Sequence, residues 1–358
     1  MNFVSEFWDW VTQSYIMSNI CASIVLIFSV VGITFVVRHK FWGPRLKNGF
    51  RKKLPITALI IAFLYVTIAL LDSISWKDKL EGEGHALQAI MPRTVLDRMF
   101  STVVGTPEWE FKEKTFVAPL DDKAFMDREK PAKFTHLMGT NKTGSDTFYL
   151  VLKGCRPAIV IGTLPLIFSI PVALAMGILA GFFGGKIDEM VVYIYTTLSS
   201  IPGLLLMIAL ITALGKGLPQ IALGLGVTGW VGLCRLVRAE TLKLRELEYI
   251  QAAKCLGVPT WKTLMRHIVP NLMHIVIITS ILSFTGLVLS ESILAYLGIG
   301  LNGSWGGMID NARSEIAQDP VIWWNIIAAS TALFMLVLSV NVVGDTLRDA
   351  LDPRTSSE

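Results

Sequence analysis

Glu248-Tyr-Ile-Gln-Ala-Ala-Lys-Cys-Leu-Gly257-Val-Pro259, running on to Ile268-Val-Pro270-Asn271, decides how this chain is read. Charged and apolar residues alternate at helical spacing from Arg238 to Tyr249, which makes a surface helix. Tyr249 to Leu256 forms a second, short helix with Ala252 and Ala253 on part of its face, small enough for a partner backbone to come close. Gly257 is a natural helix terminator because it tolerates a positive φ, and Pro259 two positions later prevents continuation. Thr260 is expected to cap the next helix, with Trp261, Leu264 and Met265 in an interfacial bed and Lys262 and Arg266 at the headgroups. Pro270 then opens a further apolar run. A cationic helix–stop–helix between two apolar runs is a docking face for another protein.

The surrounding sequence supplies the membrane. Of 358 residues, 53% are hydrophobic and only 17% charged, which excludes an ordinary large soluble enzyme. A span needs about 20 apolar residues, and seven runs qualify: 18–37, 54–71, 158–181, 188–213, 219–237, 268–290 and 321–343. Lipid offers no partners to free backbone groups, so each must be helical or nearly so. Pro165 and Pro171 are expected to interrupt the third run, and Ser199-Ser200-Ile201-Pro202-Gly203 the fourth. Gly224, Gly226, Gly229 and Gly232 are expected to interrupt the fifth.

Basic residues orient the runs. Residues 38–53 carry seven Lys/Arg and no acid, whereas 1–17 carry Glu6 and Asp9 and no Lys/Arg. The N-terminus is therefore expected outside and the 38–53 loop in the cytoplasm. Counting onward puts 238–267 and the tail, 345–358, in the cytoplasm. The seven Lys/Arg against three acids in 235–266, and Arg313 against Asp310, Glu315 and Asp319 in 295–321, agree with this. The expected organisation is an extra N-terminal span with its basic loop (1–53), a second span (54–71), an extracytoplasmic insert (72–157) and a five-span core (158–344). The insert, broken by Pro107, Pro119 and Pro131, is expected to form a cap of short helices or strands.

The loop around 248–270 resembles the EAA loop of permease subunits in binding-protein-dependent ABC importers. Ala252-Ala253, Gly257 and Pro270 keep the spacing of that motif. Gln251 stands where the motif begins with Glu, and Glu248 supplies an acid three residues earlier. Leu137-Met-Gly-Thr-Asn-Lys-Thr-Gly-Ser-Asp146, with Gly154-Cys-Arg156 and Gly162, resembles the extracytoplasmic entry of the second permease of dipeptide, oligopeptide and nickel importers, with Asn141 and Ser145 in place of Asp and Arg. Gly181-Phe-Phe-Gly-Gly-Lys-Ile-Asp188 with Ser200-Ile-Pro202, Ser290 to Gly300, Ser304-Trp-Gly-Gly-Met308 and Gly344 to Pro353 extend the likeness over about 137–353. Residues 1–53 and the insert fall outside it, and the second span matches weakly. The resemblance implies an all-α polytopic membrane protein with a MetI-like ABC importer permease core. It also implies half of a transport path for short peptides or related solutes in the bacterial inner membrane. Its partners would be a paralogous permease, two cytoplasmic ATPases that hold ATP and magnesium, an extracytoplasmic solute-binding protein and membrane lipid, with no nucleic acid. Glu248, Gln251, Ala252, Ala253, Gly257, Pro259 and Pro270 would form the ATPase-coupling loop.

The sequence lacks an engine of its own. Gly184-Gly185-Lys186 has neither the earlier glycine nor the following Ser/Thr of a phosphate loop, so ATP is expected to act on partners only. Histidines 39, 85, 136, 267 and 274 are dispersed and the four cysteines lack zinc spacing, so neither metal nor cofactor is expected in this chain. Glu291 is the one acid well inside an apolar stretch; it either lines the path, with Ser200 and Pro202 as further path or outer-gate residues, or pairs at the outer rim. An ion-driven secondary transporter would want more intramembrane acids and an internal repeat, and a membrane-embedded enzyme a polar constellation at depth.

Overall fold

The computed structural model describes residues 52–76, 93–104, 113, 116–125, 129, 131–215, 217–301 and 303–351. The expected span 18–37 lies outside them. Along the chain run α1 (Lys53–Ser73), β1 (Ser75–Trp76), β2 (Arg93–Thr94), α2 (Val95–Val104) and α3 (Thr147–Phe183). Then come α4 (Gly185–Ser200), α5 (Gly203–Leu214), α6 (Leu218–Leu244), α7 (Glu248–Cys255), α8 (Thr260–Tyr296), α9 (Trp305–Ile316) and α10 (Trp324–Leu351). Among the described residues, α1, α3, α6, α8 and α10 are long and apolar enough to cross a membrane, and α4 with α5 makes a sixth candidate, bent by 86°. This is an all-α polytopic membrane protein.

Several expectations change in detail. The run 188–213 is two helices, because Ile201 is extended and Pro202 has no amide hydrogen to pass the helix across. Pro165 and Pro171, by contrast, interrupt nothing: α3 runs through both. A neighbour covers the first of them, since Gly226 of α6 brings its backbone against the Pro165 carbonyl. Nor do the glycines of the fifth run break α6, which continues to Leu244 and takes in the first half of the expected surface helix. The third span starts at Thr147 rather than 158, because Asp146 caps it: its Oδ1 accepts the Tyr149 amide at 2.9 Å. Pro270 opens nothing, since α8 is continuous from Thr260. A π turn at Leu264–Ile268 lies just before the proline and absorbs its missing donor. Thr260 is the first helical residue rather than the cap, a place Pro259 takes without a side-chain bond.

Contacts divide the chain into two compact units, 1–160 with 290–343 and 161–289 with 344–358. The described residues of 72–157 fall in the first unit with α1, α2 and α9.

In the first unit, β1 and β2 pair antiparallel. Lys153 of α3 sits between Asp72 of α1, at 3.0 Å, and Asp97 of α2, so two buried carboxylates are each paired. Gly154 exists to admit Trp305: a Cβ there would lie 2.3 Å from the indole nitrogen, which donates to the Val151 carbonyl at 2.9 Å. The 137–146 turn is held by Asn141, whose Oδ1 accepts the amides of Thr143 and Ser145. Buried His136 lies between Asp146 (2.7 Å) and Glu113 (3.5 Å).

In the second unit, one apolar core gathers Ile178 and Ala180 of α3, Val191 and Tyr195 of α4, Trp230 to Val237 of α6, Ile250 of α7 and Ile268 to Val276 of α8. Gly177 and Gly181 bring α3 onto α6, where added Cβ atoms would meet Val237 at 2.7 Å and Thr241 at 2.7 Å. This small-xxx-small pair gives helices close contact where lipid provides no hydrophobic drive.

Candidate coupling surface

Between α6 and α8 the chain makes one tight turn, one short helix and one stop. Leu244 to Leu247 turn through amide bonds to the carbonyls of Thr241, Lys243 and Leu244, after which α7 begins at Glu248. The short helix would be marginal alone. It is held by Ile250, fully buried among Ile268, Leu272 and the other core residues, and by Ala253, also buried.

Polar contacts fix the rest. Gln251 donates through Nε2 to the Arg245 carbonyl at 2.9 Å. Arg245 donates to the Gly181 carbonyl at 3.0 Å, and Lys254 lies 4.8 Å above the Phe182 ring, so the α3 end supports the turn from beneath. Asn271 of α8 donates to the Tyr249 hydroxyl at 3.1 Å and to the His267 carbonyl, while the Tyr249 ring meets His267 edge to face. About two turns back along α6, Arg238 grips Asp188 of α4 with both arms of its fork, at 2.5 and 2.7 Å.

The stop is a Schellman motif. Gly257 takes φ +73°, its amide donates to Lys254 and the amide of Val258 to Ala253. Pro259 follows as the cap of α8. Outward this rigid base presents Leu256, 83% exposed, Trp261, 68%, and Met265, 66%, among the exposed Lys254, Lys262 and Arg266. Single exposed apolar residues are ordinary; three within ten residues of one another make this segment a candidate interaction surface.

The structure distributes the expected residues unevenly. Glu248, Gln251, Ala252, Gly257 and Pro259 all lie on or beside the exposed segment. Ala253 turns inward, so the alanine pair does not present one face to a partner. Pro270 sits about three turns inside α8. Ser200 and Pro202 are exposed at the α4–α5 break, where the Ser200 hydroxyl donates to the Thr197 carbonyl. Glu291 is 5% exposed and accepts the Leu301 amide at 3.3 Å, which makes it a staple for the loop after α8. Sequence reading passed over Ile250 and the Gly177/Gly181 pair. A lone isoleucine in a polar helix and a four-residue glycine spacing were the available signals.

Comparison with known proteins adds identity to this geometry. The chain is 34% identical over 232 residues to the oligopeptide transport system permease protein OppC of Bacillus subtilis (strain 168), covering 64% of this chain and 75% of that one. It is 31% identical to the dipeptide transport system permease protein DppC of the same organism, over 65% and 73%. Against the glutathione transport system permease protein GsiD of Pectobacterium atrosepticum the identity is 30%, over 68% and 81%. Among solved structures, an inward-facing form of the MetNI methionine ABC transporter aligns over 57% of this chain and 98% of the other, at 17% identity and a TM-score of 0.48. The family model for the binding-protein-dependent transport system inner membrane component matches residues 173–357, which span α4 to α10 and the coupling segment. The chain belongs to that family of inner-membrane permease subunits.

Proposed function

We propose that this chain forms half of the translocation path of an ATP-driven importer of short peptides or related small solutes, and that α7 with its flanks is where the driving force enters. The observation that carries this is the Ile250-anchored, Schellman-ended helix presenting Leu256, Trp261 and Met265. A surface that is stiff below and apolar above transmits a push instead of absorbing it. Glu248, Gln251, Ala252, Gly257 and Pro259 frame that surface, Ala253 holds it from within, and Pro270 lies exposed further along α8.

In this reading, two separate ATPases hydrolyse ATP with magnesium and bear on α7 from the cytoplasm, a paralogous permease completes the path, and a soluble binding protein delivers cargo outside. The chain itself holds no cofactor and catalyses nothing. The N-terminus and residues 72–157 lie outside, and 238–267 and the C-terminal tail inside. The ATPase pair biases the path because it binds inward- and outward-open states with different affinity.

Co-expression of the two permeases with the ATPases, followed by reconstitution with the binding protein, tests the reading. ATP-dependent uptake of a loaded tripeptide, lost when the ATPases are left out, is expected. Uptake by this chain alone, driven by a proton or sodium gradient, would overturn it.

A further inference from the structure

Arg235 is a cation on a membrane-spanning helix that no carboxylate of the described chain answers. It is exposed on α6. Its contacts are the Ser199 hydroxyl, which it reaches through Nη2 at 2.7 Å, and the Tyr195 ring, 4.9 Å below the guanidinium. Ser199 in turn donates to the Tyr195 carbonyl at 2.8 Å, so its free lone pair is aimed at the guanidinium. The group is thus oriented while most of its five N–H donors stay open.

Arg235 is the first of the seven basic residues counted in 235–266, and its partner sets it apart from the others. Asp188 and Ser199 lie about 16 Å apart along α4, yet their partners Arg238 and Arg235 are one turn apart on α6. α4 therefore crosses α6 obliquely, and Ser199 draws Arg235 toward the α4–α5 break, away from the basic end of the helix. The face of α6 beside it is bare: an added Cβ at Gly229 or Gly232 would meet nothing within 4 Å. An ionisable side chain facing such a surface within a bundle marks a solute route.

We propose that Arg235 is a specificity residue of the translocation path and binds the terminal carboxylate of the passing cargo. The inference rests on the importer reading above. A planar guanidinium held at one nitrogen by Ser199 presents its remaining edge to a carboxylate as a two-point fork, and the bare glycine face lets the cargo backbone lie against α6. A phospholipid phosphate offers the same oxyanion chemistry, so the experiment separates the two sources.

The test uses the assembled importer in proteoliposomes with its loaded binding protein, and compares trialanine with trialanine amide. The receptor is common to wild type and variant, so the ratio between them reports the membrane part. Arg235→Gln is expected to lower ATP-driven uptake of trialanine by about tenfold and of the amide by less than about twofold. Arg235→Lys, which keeps the charge without the fork, should fall between and show the same preference; it decides the matter if Arg235→Gln fails to co-purify with its partners. Equal losses for both peptides, or no loss for either, would overturn the proposal. So would a difference that exists in phosphatidylglycerol vesicles and vanishes in phosphatidylcholine, which would assign Arg235 to lipid. A wild-type complex that moves neither peptide with ATP would instead tell against the importer reading itself.

Discussion

Two helix ends in this molecule are built alike and continue differently. At Gly257, φ is +73° and the amides of Gly257 and Val258 return to Lys254 and Ala253; at Gly298, φ is +76° and the amides of Gly298 and Ile299 return to Ala295 and Leu294. Each is a Schellman stop on glycine. After Gly257 the chain leaves Leu256, Trp261 and Met265 in the open. After Gly298 it is drawn in: Leu301 donates to Glu291, Gly300 packs on Ala295, and Trp305 is 2% exposed. Local backbone chemistry thus sets where a helix stops, and the residues after it decide whether the chain folds back inward, although Leu297 before Gly298 is itself 50% exposed.

The end whose continuation is buried should be the costlier to damage. Trp305→Ala removes a buried indole, its hydrogen bond to Val151 and the filler of the space made by Gly154. The expected loss is about 3–5 kcal/mol, read as a large fall in the melting temperature of the detergent-purified chain. A variant that melts with wild type would remove the first half of the comparison. Ile250→Ala comes next, at about 2–5 kcal/mol. That loss should be felt locally, as faster amide exchange across 248–255 with slow exchange kept in α6 and α8. Unchanged exchange would mean that α7 does not depend on the core beneath it.

Gly257→Val and Gly298→Val make a matched pair. Neither new Cβ would meet an atom within 4 Å, so the cost is conformational in both, about 1–2 kcal/mol for an L-residue in the left-handed region. Their stabilities should fall together while their phenotypes part: Gly257→Val should weaken retention of the ATPases on a pull-down, and Gly298→Val should not. Equal retention would show that the two stops do not differ in use.

How much of this was legible in the sequence follows from what kind of fact each feature is. Gly257 could be read because a positive φ next to Pro259 leaves glycine little alternative. The break at Ser200–Gly203 could be read for the same local reason, but Pro165 and Pro171 could not, since the helix continues or stops there according to a neighbour such as Gly226. The inward turn of Ala253 and the anchoring by Ile250 are properties of packing across several helices. Glu291 could be singled out as an acid in an apolar run, yet its partner is an amide ten residues on, reached only because Gly298 reverses the chain.

pH offers a further contrast, within the first unit. Burial disfavours a charged His136, but hydrogen bonding and charge from Asp146, then from Glu113, outweigh it and hold the imidazolium above its ordinary range. A raised folded-state value stabilises the 113–146 region fully below about pH 6.5. That contribution is lost as pH rises through the folded value. Protease nicking within 113–146 should therefore increase from acid to mildly alkaline pH, and His136→Gln should flatten the profile. A wild-type profile that is already flat would remove the histidine from the account.

The smallest effect on stability bears most on the exposed end. Leu256 is 83% exposed and lies in the core of neither unit, so Leu256→Ser should shift stability by no more than about 0.5 kcal/mol. If the residue is only a solvent-facing tail of α7, nothing else should change. If it seats in a partner, removing its apolar contact should loosen the ATPases by about tenfold or more. A melting curve that overlays wild type together with a lost pull-down would separate docking from folding at one side chain, which Ile250 and Gly257 cannot do because each supports both.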